Sequence, residues 1–192
     1  MTSDPHASLA QLRALLQAHG GDHVLTALGA AAARDDEDAR EHDAAETRRA
    51  LAVFDTAFLA TAADGVLSDE EIEELATLLS AVTDGEATDE DLGYLLENFS
   101  IALEQEGLEA RLSNIADALD SPDARRLAFI AACGVSLLAS RSSSSAEGAA
   151  YRESGKLETE SRAMLDRIAE TLSISQHDAA GWLQEIEARL GA

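Results

Sequence analysis

Apolar residues recur at intervals of three and four along nearly the whole chain, and the rhythm breaks at Asp-Gly, Gly-Gly or Ser-Pro pairs. The pattern predicts helices throughout. Leu9, Leu12, Leu15 and Leu16 mark a short first helix ended by Gly20-Gly21, and Val24 to Ala33 a second. Arg34 to Asp43 is too charged for a core and reads as a solvated helical turn or a linker. Residues 1–35 are expected to form a loosely docked N-terminal helical extension, and residues 36–192 the main helical domain.

From about Ala44 the stripe Leu51, Phe54, Phe58 and Ala62 predicts a helix that ends at Asp64-Gly65. Ile72, Leu75, Ala76, Leu79 and Val82 predict the next, which closes before Asp84-Gly85. A third opens after Thr88 with Leu92, Leu95, Leu96 and Phe99 inward. A fourth carries Leu108, Leu112, Ile115 and Leu119, separated or kinked at Gly107. Ser121-Pro122 is a strong start signal, a capping serine followed by a proline whose fixed φ suits the first helical position. The helix it opens, through Leu127, Ile130, Ala131, Gly134, Leu137 and Leu138, is nearly all apolar and is expected to be central. Residues 141–155 begin with a serine-rich polar run and read as a flexible loop. Leu165, Ile168 and Leu172, then Leu183, Ile186 and Leu190 with Trp182, predict the last two helices. The fold class is all-α, a bundle of about seven to nine helices.

The two halves of this pattern repeat weakly. An apolar helix ending at Asp64-Gly65, a helix to Val82 and one from Thr88 are echoed by the apolar helix to Leu138, one from Thr159 to Leu172 and one from Ser175. Ser154-Gly-Lys-Leu-Glu-Thr-Glu-Ser161 then stands opposite Asp64-Gly-Val-Leu-Ser-Asp-Glu-Glu71, with serines in place of the first and last acids.

Composition supports helices over sheet: the chain is 46% hydrophobic and rich in Ala and Leu, with two prolines among 192 residues. Charge changes the functional picture more. Thirty-seven acids against 14 basic residues give a net charge of -23, a field that repels phosphate backbones and anionic lipid. Nucleic-acid binding is not expected. Residues 50–110 hold sixteen Asp or Glu and no Lys or Arg, so cations, salt or a basic partner would relieve repulsion there. No run reaches the ~18–20 apolar residues of a membrane span, which argues against direct insertion. Met1-Thr-Ser-Asp-Pro-His has neither the basic nor the apolar region of a signal peptide, so the expected location is cytoplasmic. The single cysteine, Cys133, lies in an apolar run and is expected to be a small core residue.

Candidate chemistry concentrates at the elbow between Phe58 and Leu75. Ser68-Asp-Glu-Glu71 is a capping box in which Ser68 and Glu71 satisfy each other's backbone N–H groups, while Asp69 and Glu70 lie where the helix dipole favours negative charge. Thr88 to Asp91 and Ser175 to Asp178 have the same form. Asp64 is different. It sits at the negative end of its own helix, a placement unfavourable by ~0.3–1 kcal/mol unless it caps the next helix or a hard divalent cation compensates. Such a cation, Ca²⁺ or Mg²⁺, would draw on Asp64, Glu71, Asp69 and Glu70. The spacing is not that of an EF-hand.

Ala62-Ala63-Asp64-Gly65 through Ser68 and Glu71 resembles the elbow motif of the TerB-like tellurite-resistance family, over roughly residues 45–190. The resemblance implies two pseudo-symmetric helical hairpin units, a divalent-cation site at Asp64 and Glu71, a role in tellurite or chemical-stress response, and no catalytic activity. The serines at 154 and 161 depart from that pattern in the second half.

Other chemistry is sparse. His19 and His23 are split by Gly20-Gly21, there is no G-x-S-x-G, and the sole lysine, Lys156, has no phosphate loop around it. Arg48-Arg49 and Arg125-Arg126 are expected to pair with acids of the same chain, and Tyr94 and Trp182 to pack in or beside the core. Two readings follow: a non-enzymatic TerB-like stress-response module with a cation at the elbow, or an acidic interaction module with a purely structural elbow. The second would dock a basic or membrane-associated protein partner on residues 50–110.

Overall fold

The computed structural model describes the backbone of residues 37–62, 67–82, 88–142, 157 and 159–191, together with positions 14, 16 and 18. Seven helices are delimited among the described residues: α1 (Glu37–Thr61), α2 (Asp69–Val82), α3 (Asp89–Glu106), α4 (Leu108–Ala118), α5 (Pro122–Ser142), α6 (Thr159–Thr171) and α7 (Gln176–Gly191). No strand occurs among the described residues. The all-α expectation holds at this level.

Helix starts follow the local chemistry read from the sequence. Ser121 Oγ accepts from the Ala124 N–H at 3.1 Å, with Pro122 as the first helical residue of α5. Ser175 Oγ likewise accepts from the Asp178 N–H at 3.1 Å and donates to its carboxylate at 2.6 Å. Between α3 and α4 the chain is broken rather than kinked. Gly107 takes φ 81° and ψ 162°, a conformation open almost only to glycine, and so serves as C-cap of one helix and N-cap of the next.

α5 is the centre of the bundle. Every residue from Leu127 to Ala139 is buried, Cys133 among them, and α1, α2, α6 and α7 all pack against it. Small side chains on α5, Ala128, Ala131, Ala132 and Cys133, bring these neighbours close. α1 is nearly as enclosed, with residues 52–61 all buried. Two threonines in that stretch return their hydroxyls to their own helix, Thr56 to the Ala52 carbonyl at 2.6 Å and Thr61 to the Phe58 carbonyl at 2.9 Å. α3 is the outlier. Only Leu92 and Phe99 are buried on it, and Phe99 anchors it through tilted contacts with Phe58 and Phe54 of α1, at 5.7 and 6.0 Å between ring centroids.

Several expectations change. α1 runs from Glu37, so of the two readings of the charged stretch, a solvated helical turn or a linker, its residues from Glu37 on are helical. Leu16 is 1% exposed and lies in the core cluster; the rest of residues 1–35, apart from positions 14 and 18, lies outside the described residues. α5 continues through Arg141 and Ser142, where a loop was expected to start; the rest of 141–155 lies outside the described residues. Leu51 leaves the inward stripe of α1 and is 36% exposed. Among the described residues no helix is long and apolar enough to cross a membrane.

Candidate functional site

At the elbow the predicted capping box is present. The Ser68 N–H donates to Glu71 Oε2 at 2.8 Å, and Ser68 Oγ accepts from the Glu71 N–H at 3.2 Å. Asp69 is exposed and Glu70 half-buried in the first turn of α2. Asp64 and its counterpart Ser154 lie outside the described residues. Among the described residues no group of three or more His, Cys, Asp or Glu side chains is placed to hold a metal ion. Asp69, Glu70 and Glu71 thus do not form a ligand set by themselves. The same cap recurs at Thr88, whose N–H and hydroxyl both donate to Asp91 Oδ2, at 2.8 and 2.7 Å, and hold that carboxyl below its ordinary range.

A second site was not anticipated from the sequence. α1 and α4 run antiparallel, and two Arg–Asp pairs tie them together. Arg49 of α1 reaches Asp120, just past α4, with both Nε and Nη2, at 2.9 and 2.8 Å, a full fork that lowers the Asp120 carboxyl below its ordinary range. Arg111 of α4 reaches Asp55 of α1 with one leg, Nη2 to Oδ2 at 2.7 Å. The first pair is exposed. The second is enclosed, with Asp55 only 3% exposed.

The chain around Asp55 explains the difference. It stands in the buried run Ala52-Val53-Phe54-Asp55-Thr56-Ala57-Phe58, one helical position from the Phe54 ring. Burial pushes its carboxyl up to about 6; Arg111 opposes that rise, and Glu106 adds to it. Besides Asp55, two groups hold Arg111. Its guanidinium lies 5.3 Å above the Phe99 ring centre, Glu106 Oε2 stands 4.0 Å from its Nη1, and Asn114 donates to that same Glu106 oxygen at 2.9 Å. The turn at Gly107 is what brings Glu106, at the end of α3, over the start of α4.

These residues border a cleft of about 280 Å³. Arg48, Leu51, Ala52 and Asp55 come from one face of α1 at helical spacing. Arg111, Asn114, Ile115 and Ala118 come from α4 at the same spacing, and Phe99 closes the floor. Two buried polar atoms of the Asp55–Arg111 ion pair, shut off from solvent, have no hydrogen-bond partner, Asp55 Oδ1 and Arg111 Nε. One is an acceptor and the other a donor.

A third feature is the outer face of α3. Glu90, Tyr94, Glu97, Ile101 and Glu104 recur at the four- and three-residue steps that keep them on one stripe, opposite Phe99, and all five are exposed. Tyr94 is 68% exposed and Ile101 43%, so Tyr94 is not the core or rim residue expected. Trp182 is half-buried, packed on Phe129 at 6.2 Å with the Arg126 guanidinium 5.2 Å above it. Arg125 donates to the Leu119 carbonyl at 2.8 Å and adds its charge to that of Arg49 in lowering the Asp120 carboxyl.

No family model, curated protein or solved structure matches the chain.

Proposed function

We propose that this chain is a non-enzymatic, acidic helical interaction module that docks a basic amphipathic helix of a protein partner on the outer face of α3. The stripe Glu90-Tyr94-Glu97-Ile101-Glu104 carries this reading. It places two large exposed apolar side chains in line with three carboxylates, in a region of 61 residues without a basic side chain. An aromatic and an aliphatic anchor supply apolar burial, and the surrounding charge selects for Lys and Arg and speeds encounter. The light anchoring of α3 through Leu92 and Phe99 leaves that face open.

A labelled eighteen-residue Leu/Lys amphipathic helix is the probe. Its binding should weaken steeply with salt, and Tyr94→Ala with Ile101→Ala should lower affinity by about tenfold or more while thermal stability holds. Binding insensitive to both substitutions, or to salt, would sink the proposal.

The TerB-like motif supports the cation reading as the alternative. The Ser68–Glu71 box turns the Glu71 carboxylate back over the elbow, the side on which Asp64 lies in the sequence. In that reading Asp64 and Glu71 hold Ca²⁺ or Mg²⁺, and the module serves tellurite or chemical-stress response in the cytoplasm. Calorimetric titration of metal-free protein decides it. Heat abolished by Asp64→Asn and by Glu71→Gln supports the site, and no heat rejects it.

A further inference from the structure

We propose that Asp55 and Arg111 form a proton-operated latch on the C-terminal end of α3: when Asp55 loses its proton, Arg111 turns to complete a fork with it, gives up Glu106, and the end of α3 loosens. Asp55 Oδ1 and Arg111 Nε carry the argument. One is an acceptor and the other a donor of the same ion pair, and both are shut off from solvent, so the partner each lacks has to come from within the protein. Each can serve the other. Nε to Oδ1 beside Nη2 to Oδ2 is the side-on fork that Arg49 already makes with Asp120 between α1 and the end of α4. What stands against that closure is α3. Its Phe99 ring lies 5.3 Å from the Arg111 guanidinium, and the carboxylate of Glu106, its last residue, stands 4.0 Å from Nη1.

The charge on Asp55 selects between the two arrangements. A neutral carboxyl asks little of Arg111, whereas the carboxylate both attracts the guanidinium and repels Glu106. Burial pushes the carboxyl up to about 6, which brings the change close to neutral pH. Among the described residues, Arg111 of α4 and Glu106 of α3 are the charged groups that act on Asp55; Arg48 shares its face of α1, and α2, α5 and α6, also packed on α1, add none. The coupling is reciprocal, so removing the Glu106 charge makes Asp55 easier to ionise. The end of α3 can yield because little else fixes it. Leu92 and Phe99 are the buried side chains of α3, Leu103 is half-buried, and the helix breaks at Gly107. On the docking reading of α3 given above, on which this consequence alone rests, the latch regulates the docking face, since Ile101 and Glu104 lie on the turns it holds.

The latch is tested without a partner, so it stands or falls separately from docking. Two-dimensional NMR of the whole chain is followed from about pH 5 to about pH 7.5, with the Arg111 Nε–H and the backbone amides of Leu103 to Leu108 as reporters. The two sets of signals should shift together with one midpoint at about 6. Asp55→Asn, which cannot ionise, should abolish the shared shift, and Glu106→Gln, at an exposed position, should move its midpoint to lower pH. The five histidines titrate in the same range but are intact in Asp55→Asn, so they do not account for a shift that this variant loses. Arg111 and α3 signals that titrate separately or not at all, a shared shift that survives Asp55→Asn, or a midpoint unmoved by Glu106→Gln would each overturn the proposal. The wild-type and Glu106→Gln titrations decide the question even if Asp55→Asn does not fold.

Discussion

Arg111 and Asp55 meet at 2.7 Å through one nitrogen and one oxygen, although each has a second atom that could complete a fork. Arg49 and Asp120 join the same two helices with the fork complete. The exposed pair is a surface clamp, and such pairs contribute little. The enclosed pair is unfinished, and an enclosed ion pair with unmet hydrogen bonds is a liability to stability unless something else occupies the remaining valences.

Asp55 should make stability depend on pH in an unusual direction for a carboxylate. Its folded-state value of about 6 lies above the ordinary 3.8, so the native chain holds a proton that the unfolded chain releases. Its contribution is fully present below pH ~4 and is lost as pH rises through about 6. Comparing wild type with Asp55→Asn by urea unfolding, the wild type should lose about 1 kcal/mol relative to the variant between pH 5 and pH 7. A constant difference would show that Arg111 outweighs burial and Glu106 at this site.

Leu16 tests whether the N-terminal segment is part of the domain. Leu16→Ala should destabilise the protein by about 2–5 kcal/mol, as for other fully buried leucines. Ile101→Ala, on the exposed face of α3, should change stability by less than about 0.5 kcal/mol. Equal, small effects in denaturant unfolding would return the segment to the status of a loose extension.

The bundle was legible in the sequence wherever apolar spacing and start signals agreed. α5 is the clearest case, because Ser121-Pro122 fixes its start and an apolar run without a polar face requires burial on all sides. The three caps at Ser68, Thr88 and Ser175 were legible for a similar reason, since cap chemistry is local. The cleft was not. Its signal was a lone Asp55 inside an apolar run, but whether such a residue is partnered depends on α4, more than fifty residues away. Leu51 misled because helical spacing shows which residues share a face, not how far the neighbouring helix covers it.

Gly107 on one side, and Gly93 and Gly181 on the other, should respond oppositely to alanine. At Gly107 the positive φ strains any side chain although a Cβ would meet open space, so Gly107→Ala should destabilise by about 1–3 kcal/mol. Gly93 and Gly181 are helical and equally open, so alanine there should stabilise by about 0.5–1 kcal/mol. Thermal melts of the three variants check this. Tolerance at Gly107 would mean that the α3–α4 break can relax.

The elbow cap can be separated from any ligand role. Ser68→Ala removes the acceptor for the Glu71 N–H and should destabilise by about 1 kcal/mol. Because the serine supplies no carboxylate, the loss should be the same in chelator and in excess Ca²⁺ or Mg²⁺. A loss that differs between the two conditions in an unfolding titration would tie the cap to the cation.

The burial of Cys133 in the middle of α5 gives the molecule a built-in clock. Its thiol is wholly enclosed, and that enclosure pushes its pKa well above the ordinary range. A thiol reagent therefore cannot react until α5 is uncovered, and α5 touches most of the bundle. As the only cysteine in the chain, it reports one event. The rate at which it is labelled under native conditions reports the openings that uncover the middle of α5, in unmodified protein and without a denaturant.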